Sequence, residues 1–322
     1  MPMLHTIAIF TTLGERLASF GEDETTARII ADAVAENGWF TRRDVLQAVD
    51  AIRSEMLTEE HLTAWLSRYN PTHTPKRVAV VMAGNIPLVG FFDLLCVIAA
   101  GHTCCVKPSS KDRVLIHYVI GLLREIEPAI RIEDYDATDH YDMAIATGGD
   151  SANAYFREHF ASTRTLLRGS RHSIAILDGT ESHEELRGLY TDITSYSGLG
   201  CRSVSMLFVP RGYTPKFECQ AAHNPKLQRN VQSTRATLTI EGMEHHDCGA
   251  FIMCKGNGFS NSLAVVTLRE YDDIEDVREW ISDNKEGIQC VVSHRDIAFG
   301  RAQYPALTDY ADGVDTMRFL LG

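Results

Sequence analysis

The 322-residue chain lacks the basic charge and the long apolar runs that mark two large classes of protein. Its formal net charge is -12, with 31 lysines and arginines against 43 aspartates and glutamates. No basic cluster offsets this acidity, which argues against nucleic-acid binding. No segment reaches the roughly twenty apolar residues of a membrane-spanning helix, so we expect no membrane span. The first residues, Met1 to His5, contain no lysine or arginine and do not predict a signal peptide.

The cysteines lack the spacing of a zinc site or of a CxxC redox pair. There are eight of them, and reduced thiols in a cytoplasmic protein account best for their scatter. The run His245–Cys248 joins residue types that bind metals, but adjacent side chains point in different directions. An ordinary polar loop is the better interpretation, and we expect no metal site.

What remains is an ordinary globular composition, with 44% hydrophobic and 23% charged residues. The length suggests about two domains. Residues 12–70 repeat apolar side chains at three- and four-residue spacing, which predicts helices. The prolines within residues 70–75 then predict a linker or turn.

From Arg77 onward, short apolar runs alternate with helical patterns. The predicted strands here cover residues 78–82, 103–107, 143–147 and 173–177. Their alternation with helices predicts right-handed βαβ units and a parallel sheet. Ligands bind such sheets outside the carboxyl ends of the strands, where Asn85, Lys107 and Gly148–Gly149 fall.

A second, smaller α/β unit is predicted nearer the C-terminus. It consists of a strand at residues 263–268, a helix at 273–282 and a strand at 288–293. The preceding residues, 211–262, give no clear pattern. The fold class is therefore α/β, with a Rossmann-type domain followed by a smaller α/β domain.

Cys201 is the strongest chemical candidate in the chain. It follows the glycine-rich turn Ser197–Gly200 and precedes a predicted strand at residues 203–210. Glycines let the backbone approach a ligand closely. A thiol in such a place can attack an acyl carbon, with its own backbone N–H stabilising the oxyanion that forms. A buried structural cysteine is the alternative.

Four motifs in a fixed order resemble the aldehyde dehydrogenase superfamily. They are Gly84–Pro87, Lys107–Ser110, Ala146–Ser151 and Gly198–Arg202. The chain is more closely similar to the acyl-CoA reductases of the LuxC type, which also have a terminal segment like residues 309–316. The resemblance runs from about residue 76 to the C-terminus and implies an aldehyde-dehydrogenase-like fold.

The resemblance also implies a domain division. A helical region, residues 1–75, packs on a dinucleotide-binding domain, residues 76–180. Residues 181–300 form the catalytic domain with the cysteine. Residues 301–322 return to the cofactor domain or form an oligomer interface, and a homo-oligomer is expected.

Site roles follow from the resemblance, residue by residue. Cys201 is the acyl-accepting thiol, and the side chain of Asn85 is a second donor to the oxyanion; a turn or helix N-cap is the alternative for Asn85. Lys107 reaches the adenosine ribose of the dinucleotide, or is a solvated strand end. Thr147, Gly148 and Gly149 form a turn near the pyrophosphate and nicotinamide, or an ordinary βα turn.

The cofactor expected from the same resemblance is NADPH. Members of the superfamily that prefer NAD tend to carry a carboxylate a few positions after the lysine that matches Lys107, where the neighbours in this chain include Ser109 and Ser110. Lys111 and Arg113 follow, and their positive charges attract a 2′-phosphate.

One departure from the superfamily bears on the reaction. Members that form free acids carry a glutamate general base where this chain has Leu167. Without that base, hydrolysis of an acyl-cysteine is slow. We therefore expect reduction of an acyl-CoA or acyl-carrier thioester to the aldehyde, with a possible acyl-protein synthetase partner. The alternatives are CoA-acylating aldehyde oxidation in the reverse direction, a non-reducing acyl-transfer partner subunit, and a degenerate scaffold.

Overall fold

The computed structural model describes residues 3–70 and 74–322. The predicted linker at residues 70–75 lies partly outside this range, as do Met1 and Pro2 of the N-terminal segment discussed above. The chain divides into two compact units. Unit 1 runs to Ser170 and includes Tyr304–Gly322, and unit 2 is Arg171–Gln303.

Unit 1 is a helical region joined to a five-stranded parallel sheet with the strand order β3-β2-β1-β4-β5. Its helices are α1 (Met3–Arg16), α2 (Glu24–Glu36), α3 (Arg42–Met56), α4 (Glu59–Leu66), α5 (Phe91–Ala99), α6 (Arg113–Ile126), α7 (Asp150–His159) and, near the C-terminus, α11 (Thr316–Leu321). Its strands are β1 (Arg77–Val81), β2 (Thr103–Lys107), β3 (Ile132–Asp134), β4 (Met143–Thr147) and β5 (Arg164–Arg168).

The core of unit 1 covers both faces of this sheet. Alternate residues of β1 point to opposite faces, so Val78 and Val80 join α1 to α6 in one cluster, while Ala79 and Val81 join Phe156 of α7 in another. Burial on both faces explains why the central strands are continuous apolar runs. The helices α1 to α4 share the larger cluster with α5 and α6, so the N-terminal region and the sheet have one core.

Unit 2 is built on a six-stranded sheet with the order β11-β6-β7-β10-β9-β8, in which only β8 is antiparallel to its neighbour among the described strands. Its strands are β6 (His172–Ile176), β7 (Val204–Pro210), β8 (His246–Asp247), β9 (Ile252–Lys255), β10 (Val265–Tyr271) and β11 (Ile288–Val292). Its helices are α8 (His183–Thr194), α9 (Pro225–Ile240) and α10 (Ile274–Asn284).

The structure corrects the predicted place of the strand at residues 173–177. That strand was assigned to the sheet of the cofactor domain, but as β6 it pairs with β7 and β11 in unit 2. The expected boundary between residues 180 and 181 therefore falls inside unit 2, because strand pairing holds residues 171–180 there. In the same division residues 304–322 belong to unit 1.

The poorly predicted residues 211–262 contain α9, β8 and β9. Helix α9 buries few apolar side chains, Leu227, Val231 and Leu238, which explains its weak periodicity. Across the described residues, no helix is both long enough and apolar enough to cross a bilayer.

Candidate active site

Cys201 follows a strained turn in unit 2. The 3-10 turn Ser195–Gly198 contains Tyr196 at φ 52° and Ser197 at φ 58°, and Gly198 follows at φ 75°. Left-handed conformations cost a non-glycine residue roughly 1–2 kcal/mol each. Such strain persists only where the surroundings impose it, and it is concentrated at functional sites.

Polar contacts from neighbouring elements hold this turn. The Ser173 hydroxyl, at the start of β6, donates to the backbone carbonyl of Cys201 at 2.9 Å. The Ser203 amide donates to the carbonyl of Gly200 at 3.0 Å, and the Gln303 side chain donates to the Ser203 hydroxyl at 3.2 Å. Cys201 itself is partly exposed, and Cys219 is the other cysteine that is not buried. A thiol on a fixed backbone with partial access to solvent suits a nucleophile better than a core position does.

A cavity of about 240 Å³ lies beside the turn within unit 2. Ser197 and Gly198 form part of its wall, and apolar side chains such as Phe251 form another part. His172 and Ser205 also line it, with the His172 Nδ1 3.2 Å from the Ser205 hydroxyl oxygen. Burial lowers the pKa of His172, so its ring is neutral at pH 7. No sequence motif marks this wall, because its residues come from separate elements.

In unit 1 the predicted cofactor residues lie at one edge of the sheet. Lys107 is the last residue of β2, and Thr147 is the last residue of β4. Asn85 lies in the segment that leaves β1, the strand between β2 and β4. Strand order reverses direction between β1 and β4, and ligands of open parallel sheets bind at such a point.

The turn at Gly148–Gly149 fits a phosphate group. Gly149 is the N-cap of α7, and no side chain caps this helix, so its first amides have no side-chain acceptor. A Cβ atom on Gly148 would come within 2.7 Å of the Ala152 Cβ. The Gly148 amide donates to the carbonyl of Arg168 at 3.1 Å, which fixes the turn against the end of β5.

The Lys107–Ser110 loop lies against the segment that carries Asn85. A Cβ atom on Gly84 would come within 2.6 Å of the Ser109 hydroxyl, so only glycine permits this approach. The Lys107 Nζ lies 5.5 Å from the centre of the Tyr135 ring, a cation–π contact. Ser110 is exposed.

One charge beside this loop is already paired. The Arg113 guanidinium lies 2.6 Å from a carboxylate oxygen of Glu36, the last residue of α2. Glu36 and Arg113 lie far apart in the sequence, so no motif in the loop indicates that Glu36 neutralises Arg113. The Glu36 carboxylate reduces the positive charge that Arg113 offers to a 2′-phosphate.

Comparison with known proteins identifies the family. The model of the family "Acyl-CoA reductase (LuxC)" matches residues 20–233, more than half of the chain. The chain belongs to this family. A "Long-chain acyl-protein thioester reductase" of Photorhabdus laumondii subsp. laumondii is 21% identical over an alignment of 277 residues, and the match covers 73% of this chain and 58% of that protein. A "Long-chain acyl-protein thioester reductase 2" of Photobacterium leiognathi is 29% identical over 153 residues, or 42% of this chain and 32% of that protein.

The chain thus spans about half the length of the curated LuxC relatives that it matches. Solved structures show the fold. Aldehyde dehydrogenase 21 from Physcomitrella patens, in complex with succinate, has a TM-score of 0.65 at 13% identity, covering 91% of this chain and 73% of that one. The NAD+ complex of an aldehyde dehydrogenase from Bacillus cereus has a TM-score of 0.60 at 15% identity, covering 91% and 72%. The expected aldehyde-dehydrogenase-like α/β fold is confirmed.

Two clusters of metal-ligand residue types have ordinary protein partners. In the run His245–Cys248, Asp247 pairs with Arg235 and Cys248 is buried. A second group, Asp178, Glu181 and His294, brings its ligand atoms within 4.8 Å of one another. The His294 ring in that group already bonds Asp178 and Glu185. Both clusters are accounted for as ion pairs and polar contacts.

Proposed function

We propose that this LuxC-family protein reduces an acyl thioester to the aldehyde through an acyl-cysteine at Cys201. The observation that carries the proposal is the partly exposed Cys201, which follows three consecutive residues in the left-handed conformation. The Ser173 hydroxyl holds its backbone carbonyl. Family membership supports it, because the matched relatives are named thioester reductases.

The proposed chemistry needs one nucleophile and one hydride. The Cys201 thiolate attacks the acyl carbon, the C–S bond of the substrate breaks, and the substrate's thiol leaves with a proton. With a reduced nicotinamide cofactor bound, its hydride and a proton from solvent would convert the acyl-cysteine to a thiohemiacetal. Its C–S bond then breaks, which releases the aldehyde and restores the thiol of Cys201. The Cys201 amide and the Asn85 side chain are the proposed donors to the oxyanions formed on the way.

The absence of a general base supports reduction over hydrolysis. Leu167 lies in β5, and the next residue, Arg168, pairs with the buried Asp93. No carboxylate therefore stands at the position of the acid-forming members' base. An acyl-cysteine without such a base hydrolyses slowly and remains available for reduction.

We propose NADPH as the reductant, bound at the carboxyl edge of the unit 1 sheet. Lys107, Ser109 and Ser110 would hold the adenosine end, and Thr147, Gly148 and Gly149 the pyrophosphate and nicotinamide end. The uncapped N-terminus of α7 and the tight space at Gly148 support this assignment. The Arg113–Glu36 pair weakens the preference for the 2′-phosphate without removing it, because Lys111 follows the same loop.

The acyl donor is proposed to be acyl-CoA or an acyl-carrier thioester, with an acyl-protein synthetase as a partner, in a cytoplasmic homo-oligomer. A non-reducing acyl-transfer subunit is the second candidate. It would form the acyl-cysteine at Cys201 without binding a nicotinamide cofactor.

The test of the nucleophile follows the loss of reduced-nicotinamide absorbance with myristoyl-CoA and NADPH. We expect Cys201→Ala to lower the rate of NADPH oxidation to background and to abolish the acyl adduct seen by intact mass, because the proposed acyl acceptor is removed. Cys219→Ser is the matched control, since Cys219 is also exposed, and it should keep both. An adduct on Cys201 without NADPH oxidation selects the acyl-transfer subunit. Oxidation that survives in Cys201→Ala contradicts the proposed nucleophile.

The role of Asn85 has its own test. We expect Asn85→Ala to lower kcat by about a hundred- to a thousandfold, because one oxyanion donor is lost. The KM for NADPH should change little. A variant with unchanged kcat would return Asn85 to the turn or N-cap interpretation.

A further inference from the structure

Asp112 is a buried acid that the proposed reaction does not use. Its exposure is 2%, and it occupies the N-cap of α6, yet its side chain makes no capping bond to that helix. One carboxyl oxygen, Oδ2, instead accepts the backbone N–H of Leu88 at 2.8 Å. The other, Oδ1, is buried without a hydrogen-bond partner. Burial raises the pKa of Asp112 well above its usual range. A buried acid with an unpaired oxygen is costly, so a compensating role is expected.

Leu88, whose amide Asp112 accepts, has a strained backbone. Leu88 is a buried, non-glycine residue at φ 56°, and its carbonyl accepts the Phe91 amide at the start of α5. The bond from Asp112 satisfies the Leu88 N–H, which would otherwise be an unpaired buried donor. This bond stabilises the left-handed conformation at the point where the segment enters α5.

Asn85 lies between Leu88 and a second fixed point. The carbonyl of Gly84 accepts the side-chain amide of Asn37 at 3.2 Å. The segment is therefore held at Gly84 on one side of Asn85 and at Leu88 on the other. A donor must be held to within about 0.5 Å for effective catalysis, and the two hydrogen bonds restrict the backbone that carries Asn85 on both sides.

Asp112 also belongs to the loop that follows Lys107. Its amide donates to the carbonyl of Ser109 at 3.1 Å, and Ser109 is the residue that Gly84 approaches so closely. The carboxyl group thus joins the loop assigned to the cofactor to the segment that carries Asn85.

We infer that Asp112 is a positioning residue, whose bond to the Leu88 amide fixes the Asn85 side chain relative to the Lys107–Ser110 loop. Its kinetic consequences rest on the proposed function. Its structural consequence does not, because the segment is held whether or not the protein reduces thioesters.

Two substitutions distinguish the positioning role of Asp112 from a general contribution to the stability of the fold. Asp112→Ser keeps a favourable helix N-cap, but its hydroxyl is one bond too short to reach Leu88. Asp112→Asn keeps an acceptor at the position of Oδ2. We expect kcat to fall about tenfold or more in Asp112→Ser, with the KM for NADPH nearly unchanged, and to recover to within about threefold in Asp112→Asn.

A double-mutant cycle then shows whether Asp112 acts through Asn85. If it does, Asp112→Ser causes no further loss of kcat in an Asn85→Ala background. Losses that multiply would show an unrelated structural effect and overturn the inference. A loss in Asp112→Asn as large as that in Asp112→Ser would overturn it as well.

Hydrogen exchange of the peptide covering residues 83–90 tests the structural part in the unmodified full chain. Asp112→Ser should exchange faster there than the wild type, and Asp112→Asn should not. Equal exchange in all three proteins overturns the inference. If the wild type reduces no thioester, the proposed function fails, while faster exchange in Asp112→Ser alone still supports the positioning role.

Discussion

Single residues bear on the cofactor preference that we propose for this chain, and they lie in separate parts of the sequence. In the proposed site, the loop after Lys107 has Ser109 and Ser110 but no carboxylate before Asp112, which favours a phosphate. Glu36 supplies a carboxylate from α2 and pairs with Arg113. The two effects oppose each other, so the preference is set by the balance of charges rather than by the loop alone.

We expect Glu36→Gln to raise the ratio of kcat/KM for NADPH to that for NADH by about two- to fivefold. The partly exposed pair is worth at most about 1 kcal/mol, which limits the effect. The measurement is the oxidation rate with each cofactor, and Asp32→Asn, an exposed acid on the same helix, is the control. A lower KM for NADH than for NADPH in the wild type would overturn the proposal of NADPH.

At the scale of elements, a buried ion pair joins three parts of unit 1. The Arg168 guanidinium, at the end of β5, lies 2.8 Å from Asp93 of α5, and their side chains are 6% and 7% exposed. The same guanidinium donates to the Thr316 hydroxyl of α11 at 2.7 Å. Burial raises the pKa of Asp93, and the Arg168 charge opposes that rise. The Arg168 side chain therefore links β5, α5 and α11 and holds the C-terminal helix in unit 1.

Removing one partner of the Arg168–Asp93 pair should destabilise the folded state. We expect Arg168→Met to lower the free energy of unfolding by about 3–5 kcal/mol, because the buried Asp93 carboxyl group loses its ion-pair partner. Urea denaturation measures the loss. Arg157→Met, on the exposed face of α7, should change stability by no more than about 0.5 kcal/mol. The double variant with Asp93→Leu should recover most of the loss, and a double variant as unstable as Arg168→Met would contradict this account.

At the scale of the whole molecule, the excess of carboxylates affects the pKa of a histidine that lies among them, and through it the pH dependence of stability. The net charge is -12, and His294 in unit 2 lies between two carboxylates, 3.0 Å from Asp178 and 2.9 Å from Glu185. The bonds to Asp178 and Glu185 raise the pKa of His294 above 6.5. The hydrogen bond from the Thr180 side chain makes the largest contribution to lowering the pKa of Asp178, which is about 2, and the bond to His294 lowers it further.

The raised pKa of His294 gives the stability a definite pH dependence. The folded state binds this proton more tightly than the unfolded state, so the contribution is complete below pH 6.5 and is lost as the pH rises through the folded pKa. We expect His294→Gln to unfold at a lower temperature than the wild type at pH 6, with the difference shrinking at pH 9. His183→Gln, exposed at the start of α8, is the control. A difference that grows with pH would contradict the assignment.

The sequence by itself determined three strands of the unit 1 sheet, β1, β2 and β4, and the candidate nucleophile, whereas β3 and β5 were not predicted. The predicted strands at residues 103–107 and 143–147 coincide with β2 and β4, because strands buried on both faces are uninterrupted apolar runs that can be read locally. The glycines before Cys201 are equally local. The ordered motifs identified the family and hence the fold, which comparison with known proteins confirmed.

Only the tertiary structure decided which elements and side chains meet. A strand's own residues do not specify its partner, so no local pattern showed that β6 pairs in the second sheet. The pairs Glu36–Arg113 and Asp112–Leu88 join residues from different elements, and no local pattern encodes such contacts. Periodicity reports burial along one element, whereas partner choice depends on long-range packing, and that is why the chemistry around the predicted site became visible only in the folded chain.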